Sequence, residues 1–190
     1  AYVTYNHEAM LGVLAIEATR AGGMVVGEDL GTVPDYVRRF LADHGVLGTD
    51  VEWFNRVDDS PNAGDPYRAP KDYRKQALAS VTTHDLPPTA GYLNFAHVKL
   101  REELHLLSEP VEAFAASAMA ERTAMMNRLV ENGYISQTVA DDVEGHVQEI
   151  VEAMHAMLTD TPSLLLQAAL VDGVGECRSQ NQPGTSREYS

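Results

Sequence analysis

The chain contains 190 residues, of which 44% are hydrophobic, and its formal net charge of −14 corresponds to a pI near 4.7. This length suits one domain or part of a larger one, and the apolar content is sufficient for a sizeable core. The negative charge argues against nucleic acids and anionic membrane surfaces as partners, because both carry charge of the same sign.

The first part of the chain alternates predicted helices with a predicted strand. Residues 24–26 are apolar and predict a short buried strand. A helix is predicted from about residue 35 to 43, with Thr32 as its N-cap and Gly45 after its end. Before the strand, residues 7–20 predict a helix that ends at a pair of glycines. Its apolar face is predicted to consist of Met10, Leu11, Leu14 and Ala18.

A second and a third strand are predicted further along the chain. Residues 46–54 predict the second strand and residues 78–83 predict the third. Between them, the Pro, Gly, Asn and Asp content of residues 60–72 predicts a surface loop, and a short helix is predicted over residues 70–77. Both strands end in polar residues, which places polar side chains at the ends of the sheet.

Most of the second half is predicted to be helical. Residues 110–131 predict one helix, and residues 138–158 predict another with an apolar stripe that is typical of core packing. Residues 163–167 predict a fourth strand, and residues 173–190 predict a loop rich in Gly, Asn and Pro.

This order of elements predicts an α/β fold with a parallel sheet, because strand, polar loop and helix recur as βα units. An eight-stranded barrel needs about 250 residues or more, and only four strands are predicted here. We therefore expect half of a (β/α)8 TIM barrel with an inserted helical segment. The expected divisions are barrel βα units over residues 1–96, a helical insertion over 97–161, and the last strand with its loop over 162–190.

Acidic side chains follow two of the predicted strands at the point where each strand ends. Glu28 and Asp29 lie between two glycines after the first strand, and Asp85 follows the third strand beside His84. The carboxyl ends of parallel strands carry the chemistry in such folds, and a barrel brings them to one mouth. Two carboxylates at one cleft suit glycosidic bond chemistry. One acid protonates the leaving oxygen, and the other carboxylate stabilises or attacks the oxocarbenium-like centre.

The neighbours of these acids fit a sugar site, but the acids also have simpler interpretations. His84 can donate a hydrogen bond to a sugar hydroxyl, and Trp53 and Phe54 can offer an apolar face to a pyranose ring. Acids placed before a helix often only complement its N-terminal dipole, which is the alternative for Glu28 and Asp29. A histidine–aspartate pair in a loop can instead cap local backbone amides.

The sequence predicts neither a metal site nor an organic cofactor. Histidines of the helical region lie eight or nine residues apart, unlike the i, i+4 spacing of helical metal ligands. The acidic pairs at 58–59 and 141–142 are expected to be solvated, and no phosphate-binding Gly-Lys-Ser/Thr loop occurs. Cys177, the single cysteine, excludes an internal disulfide framework and favours a reducing compartment such as the cytoplasm. No apolar run is long enough for a membrane span.

Several motifs together resemble those of the amylomaltase-type 4-α-glucanotransferases, relatives of the α-amylases. Residues 25–33 (Val-Val-Gly-Glu-Asp-Leu-Gly-Thr-Val) resemble the acid/base motif of that family, and residues 83–85 (Thr-His-Asp) resemble its transition-state-stabilising motif. Residues 181–186 (Asn-Gln-Pro-Gly-Thr-Ser) resemble its Asn-x-Pro-Gly-Thr loop near the sugar site. The three motifs occur in the family's order and span nearly the entire chain, so they are much more specific together than singly.

The resemblance implies the C-terminal half of a (β/α)8 barrel, from a cytoplasmic enzyme without organic cofactor that transfers α-1,4-glucan segments between maltooligosaccharides. It implies that Glu28 is the general acid/base and that Asp85 stabilises the transition state, assisted by His84. The further substrate-binding residues are expected to be Asp29, Asp58 and Asn181.

The implied mechanism retains the anomeric configuration. Glu28 protonates the leaving glucan oxygen while an aspartate nucleophile forms a glycosyl-enzyme, and Glu28 then activates the 4-hydroxyl of an acceptor sugar. The family's nucleophile belongs to an Arg-x-Asp-His type of motif on an earlier strand, and nothing in this chain matches it. The chain begins with Ala1 in mid-pattern, so we expect a fragment that is inactive alone. We also expect it to be poorly soluble, because half a barrel leaves open sheet edges.

Two other functions are also consistent with the sequence. A non-catalytic half-barrel would bind glucan, or would use the helices of residues 97–159 to dock another protein. A metal-assisted barrel enzyme would use Glu28, Asp29 and Asp85 as ligands. An Arg-x-Asp-His strand upstream of Ala1 would favour the transferase over the first alternative, and activity that survives chelation would count against the second.

Overall fold

The structure, a computed structural model, describes residues 3, 5–57 and 62–185 and contains three strands and eight α-helices within them. No helix in these ranges is both long and apolar enough to cross a membrane. The strands are β1 (Gly48–Val51), β2 (Ala77–Ser80) and β3 (Leu165–Gln167). The helices are α1 (His7–Ala21), α2 (Asp35–Asp43), α3 (Thr89–Leu93), α4 (Ala96–Glu103), α5 (Val111–Glu131), α6 (Gln137–Asp141), α7 (Val147–Leu158) and α8 (Leu170–Gly173).

The sheet is parallel throughout and follows the order β1–β2–β3. The predicted first strand is reduced to one parallel bridge between Val26 and Leu47. Hydrogen bonds from Leu47 N to Val25 O (2.9 Å) and from Gly27 N to Leu47 O (2.8 Å) hold it beside the start of β1. All four predicted strand positions therefore lie side by side in one parallel arrangement, although each strand is shorter than predicted.

Two local predictions need correction near the strands. The helix over residues 35–43 is confirmed as α2, but Pro34 and not Thr32 is its N-cap, and no side chain caps it. The helix predicted over residues 70–77 is wrong, because only a 3-10 turn over Pro70–Asp72 forms there.

The long helix predicted over residues 138–158 is divided into α6 and α7. Gly145 N donates a hydrogen bond to Asp142 Oδ1 at 3.2 Å, so this side chain turns back on the chain and ends α6. A Cβ at position 145 would lie 2.3 Å from a carboxylate oxygen of Asp142, so a larger residue here would displace this side chain. The predicted apolar stripe is nevertheless confirmed, because Val139 before the break and Met154 after it are both buried.

The core lies between β2 and the long helices that follow it. Ala79 and Val81, at β2, belong to one buried cluster together with apolar side chains of α3, α5, α6 and α7. The helices of the predicted insertion therefore pack directly against the sheet. The largest fully buried apolar side chains are Leu93, Met125, Leu129, Ile150, Met154 and Met157.

Helix α1 is confirmed over nearly the predicted range and ends at Gly22, which adopts φ 64°. It contributes no buried residue, and the described part of the chain does not cover its predicted apolar face. Met10 is 60% exposed and Leu14 is 41% exposed. An exposed apolar helix beside the first strand is what an incomplete barrel would present.

Burial of His97 predicts a loss of stability in weak acid. Its ring stacks on Tyr92 with 4.3 Å between centroids and meets Phe114 edge-on, and its Nδ1 has no hydrogen-bond partner among the described residues. Burial, assisted by the charge of Arg101, lowers the pKa of His97 to about 4. The folded chain holds this imidazole neutral, whereas the unfolded chain protonates it near pH 6.5. The stabilisation is therefore complete above about pH 6.5 and is lost as the pH falls towards about 4.

We expect this linkage to lower the free energy of unfolding by about 3 kcal/mol between about pH 7 and pH 4. His97→Phe keeps the aromatic stack but cannot titrate, so its thermal midpoint is expected to fall less than that of the unchanged protein over this range. His44→Phe, at an exposed histidine, is the matched control and should follow the unchanged protein. A His97→Phe curve parallel to that of the unchanged protein would contradict the prediction.

Candidate active site

The carboxyl ends of the parallel strands lie at one edge of the sheet, and the two predicted catalytic carboxylates follow them. Glu28 comes after the bridge at Val26, and Asp85 comes after β2. β1 lies between these two segments, so the segments are roughly 10 Å apart. Glu28 is exposed and has no side-chain partner among the described residues. Both carboxylates are thus anchored at the same edge of one sheet.

His84, Asp85 and Asn181 form a polar cluster at this edge. Asn181 Nδ2 donates a hydrogen bond to Asp85 Oδ1 at 2.5 Å, and His84 Nε2 lies 3.4 Å from the same oxygen. The side chains of His84 and Asp85 are 67% and 49% exposed, so the cluster faces solvent. Residues of two predicted sugar-site motifs that lie 96 positions apart therefore contact each other.

A buried aspartate holds the loop that follows β2. Asp172, which is 1% exposed, accepts hydrogen bonds from Thr89 N at 2.7 Å and from Thr89 Oγ1 at 2.8 Å. Within the loop, Thr82 Oγ1 donates to Pro87 O at 3.0 Å. The segment that carries His84 and Asp85 is therefore fixed at both of its ends.

A close backbone approach fixes the segment that carries Asn181. A Cβ on Gly91, in α3, would lie 2.2 Å from the carbonyl oxygen of Cys177, so only glycine allows this approach. Cys177 precedes Asn181 in the same segment and is half-buried. The packing of α3 thus places the Asn181 segment against the loop after β2.

Asp29 is buried beside the Glu28 loop and is held by arginine. Arg74 Nη1 lies 2.5 Å from Asp29 Oδ2, and Thr49 N donates to Asp29 Oδ1 at 2.9 Å. Burial favours the neutral form of this carboxyl, but the hydrogen bonds from Arg74 and Thr49 and the charge of Arg74 outweigh burial. They keep the pKa of Asp29 below its ordinary value. Asp29 is therefore an ionised partner of Arg74.

An open cleft of about 610 Å³ lies between the Glu28 loop and the end of β1. Phe54 lines it and is 53% exposed. Trp53, which also contributes to the lining, is 2% exposed and stacks on Tyr92 with 4.0 Å between ring centroids. The structure therefore leaves Phe54, rather than Trp53, to offer an apolar face to a sugar ring.

Arg56 and Glu121 also line this cleft, and sequence reasoning alone does not identify them. Arg56 Nη2 lies 3.3 Å from Glu121 Oε1, and its guanidinium carbon lies 3.7 Å from the centroid of the Tyr67 ring. The polar residues at the end of β1 are the one signal for Arg56. Glu121 comes from α5 and has no such signal, because its proximity depends on how the helices pack.

Asp58, the remaining predicted site residue, lies outside the described residues. Within the described ranges, no three His, Cys, Asp or Glu side chains form a group that could hold a metal ion.

Known protein sequences include relatives of this chain. A family model described as 4-alpha-glucanotransferase matches residues 1–190. A 4-alpha-glucanotransferase from Mycobacterium tuberculosis is 52% identical over 188 residues, which cover 99% of this chain and 25% of that protein. A 4-alpha-glucanotransferase from Haemophilus influenzae is 28% identical over 193 residues, which cover 100% of this chain and 27% of that protein. The chain thus spans about a quarter of the length of these relatives.

Solved structures give the same result. The amylomaltase from Corynebacterium glutamicum matches 100% of this chain with a TM-score of 0.87 at 39% identity, and the match covers 27% of that protein. The amylomaltase from Streptococcus agalactiae in complex with acarbose matches with a TM-score of 0.58 at 17% identity and over 31% of its length, which supports the fold alone. The α/β arrangement of this chain is therefore similar to a part of those enzymes.

Proposed function

This chain belongs to the 4-alpha-glucanotransferase family, and from that premise we propose that it carries two catalytic loops of a glucan-transferring enzyme. These are the acid/base loop and the transition-state-stabilising loop, and the reaction moves α-1,4-glucan segments between maltooligosaccharides. The contact between Asp85 and Asn181 carries the proposal. Two motifs that resemble parts of one sugar site meet there at the carboxyl edge of a parallel sheet, where barrel enzymes place their chemistry.

The proposed architecture is the C-terminal half of a (β/α)8 barrel with the divisions expected from the sequence. The parallel sheet supports it, and so do its uncovered elements. Leu164 and Leu166, at β3, are 52% and 47% exposed, and the apolar residues of α1 are exposed as well. Further strands and helices of a longer protein would bury these side chains.

In the proposed mechanism, Glu28 gives a proton to the leaving glucan oxygen while an aspartate from the rest of the protein attacks the anomeric carbon. Glu28 then takes the proton of the acceptor's 4-hydroxyl as that oxygen attacks the glycosyl-enzyme, which retains the configuration. Asp85 binds hydroxyl groups of the sugar that becomes cationic. The hydrogen bond from Asn181 orients this carboxylate, and His84 is available to donate to a neighbouring hydroxyl.

Asp29 and Asp58 stay predicted substrate contacts in this scheme. Asp29 lines the cleft, although its carboxylate oxygens already accept hydrogen bonds from Arg74 and Thr49. The same hydrogen bonds disfavour the metal-assisted alternative, because a hard cation would have to displace an arginine from Asp29.

The proposal is tested by incubating the complete protein with maltotriose. A transferase produces glucose together with maltooligosaccharides longer than maltotriose, whereas a hydrolase produces only shorter sugars. A protein that binds maltotriose without converting it would support the non-catalytic alternative. Activity that survives a chelator would exclude metal assistance.

Asn181→Ala in the complete protein is expected to lower kcat about 10-fold, because Asp85 loses the donor that orients its charged carboxylate. The measurement is the initial rate of glucose release from maltotriose over a range of substrate concentrations. Asn132→Ala, at the exposed end of α5, is the matched control and should not change the rate. An unchanged kcat for Asn181→Ala would contradict the proposed role of this residue.

A further inference from the structure

Arg74 joins three neighbouring segments of the sheet just below the Glu28 loop. It precedes β2, and its guanidinium crosses β1 to reach Asp29 (Nη1 to Oδ2 2.5 Å, Nη2 to Oδ1 3.2 Å). On the way it binds Asp50 through Nε (2.7 Å) and Nη2 (2.6 Å) and donates to the carbonyl oxygen of Thr49 at 2.8 Å. One side chain, from the segment before β2, thus binds a carboxylate of the Glu28 loop together with a carboxylate and a backbone carbonyl of β1.

The path of this side chain requires a glycine beneath it. A Cβ on Gly48 would lie 2.5 Å from Arg74 Nη1 and 2.8 Å from its Cζ. The backbone of β1 is therefore left bare at the point where the guanidinium passes. The position of Arg74 therefore depends on the absence of a side chain at Gly48 as well as on its charge pairs.

We call the contacts of Arg74 with Asp29, Asp50 and Thr49 the clamp. The clamp holds Asp29, the residue next to the proposed catalytic acid. Glu28 has no side-chain partner among the described residues, so its position depends on the backbone of its own loop. The side chain of the next residue, Asp29, is fixed by Arg74 and by the amide of Thr49. The peptide bond between Glu28 and Asp29 is therefore fixed to β1 at its Asp29 end.

We propose that Arg74 is a positioning residue for catalysis, which places the Glu28 carboxyl by clamping Asp29 to Asp50 across β1. This inference rests on the proposed acid/base role of Glu28. A displacement of about 1 Å from the reactive geometry costs about 100-fold in rate, so loss of the clamp acts mainly on the chemical step. The planar fork of arginine can hold two carboxylates at once, whereas the point charge of lysine cannot reproduce that geometry.

The test compares Arg74→Met, Arg74→Lys and Asp29→Asn in the complete protein, with kcat and KM for maltotriose and the thermal midpoint measured for each. Arg74→Met is expected to lower kcat about 10- to 100-fold with KM changed by no more than about twofold, because only the transition state needs the exact placement of Glu28. Arg74→Lys should have a kcat similar to that of Arg74→Met, because lysine cannot hold both carboxylates. The double variant Arg74→Met/Asp29→Asn should be no slower than Arg74→Met alone, because both changes break one clamp.

Two control variants separate positioning from general loss of stability. Met154→Ala truncates a fully buried core residue of α7 away from the clamp, so it lowers the thermal midpoint without moving Glu28. Arg20→Met removes an arginine from an exposed pair on α1. Both controls should keep kcat per folded molecule.

The outcomes distinguish failure of the clamp from failure of the proposed function. If the unchanged protein transfers glucan and Glu28→Gln does not, but Arg74→Met keeps its kcat, the clamp is overturned and the function stands. A raised KM with unchanged kcat would also overturn the clamp, since it would indicate that Arg74 and Asp29 serve substrate binding. If the unchanged protein does not transfer glucan at all, the proposed function itself fails.

Discussion

Glu28→Gln in the complete protein is expected to reduce maltotriose disproportionation by about 10²- to 10⁴-fold, the range that general acid–base catalysis supplies. Glutamine keeps the size and most of the polarity of the side chain but can neither give nor take the proton. Both halves of the proposed reaction use that proton, so neither half escapes the change. The fold should survive, because Glu28 is exposed and its side chain makes no hydrogen bond or ion pair within the described residues.

The matched control for this variant is Glu17→Gln. Glu17 is exposed on α1 and is not among the residues that line the cleft. Its exposed pair with Arg20 contributes little to stability. Near-normal turnover of Glu28→Gln, or an equal loss in Glu17→Gln, would remove the assignment of the general acid/base.

A substrate with a better leaving group makes this test sharper. A glycosyl fluoride releases fluoride without protonation, so Glu28→Gln should still form the glycosyl-enzyme from it and release about one fluoride per active site. Asp85→Asn should slow this step as well, because the oxocarbenium-like centre forms whatever the leaving group is. Equal effects of both variants on fluoride release would contradict the separate roles of Glu28 and Asp85.

The positions of the strands could be predicted from the sequence, because each is an apolar run that ends in polar or turn-forming residues. The residues at which the strands end could be predicted less accurately. Residues 52–54 belong to the predicted second strand but form a 3-10 turn, in which Glu52 makes a buried ion pair with Arg128 of α5. The break between α6 and α7 likewise depends on the side chain of Asp142 folding back on Gly145. Tertiary contacts and local side-chain hydrogen bonds decided these boundaries.

The candidate site likewise contains residues that the sequence indicates and residues that only the structure reveals. Local motifs point to Glu28 and the Thr-His-Asp segment, because these proposed catalytic residues stand inside short runs with a recognisable turn chemistry. Arg74 gives no such signal, since it lies 45 residues from Asp29 and is brought to it only by the parallel register of the sheet. Glu121 reaches the cleft through the packing of α5. The contacts of Arg74 and Glu121 are therefore visible in the structure and not in the motifs.

Arg128→Met is expected to destabilise the protein by about 3–5 kcal/mol, the usual cost of leaving one member of a buried ion pair without its partner. Arg128, on α5, is 4% exposed and pairs with the fully buried Glu52, and its Nη2 donates to Tyr73 Oη at 3.1 Å. Tyr73 Oη in turn donates to the other oxygen of Glu52 at 2.5 Å. Burial raises the pKa of Glu52, and the charge of Arg128 opposes that rise. Without the guanidinium, burial and the charge of Asp50 both raise the pKa of Glu52, and the hydrogen bond from Tyr73 opposes them.

The pH dependence of this loss identifies its cause. In Arg128→Met the pKa of the buried Glu52 should lie further above the value of about 4.3 that it has in an unfolded chain. A carboxyl with a raised pKa in the folded state favours folding at low pH and loses that contribution as the pH rises through the folded pKa. The thermal midpoint of the variant should therefore lie closer to that of the unchanged protein at about pH 5 than at about pH 7.5. Glu52→Gln combined with Arg128→Met should recover much of the loss, since no buried charge remains. Equal losses at both pH values, together with additive effects in the double variant, would show that lost packing and not an unpaired carboxylate destabilises the fold.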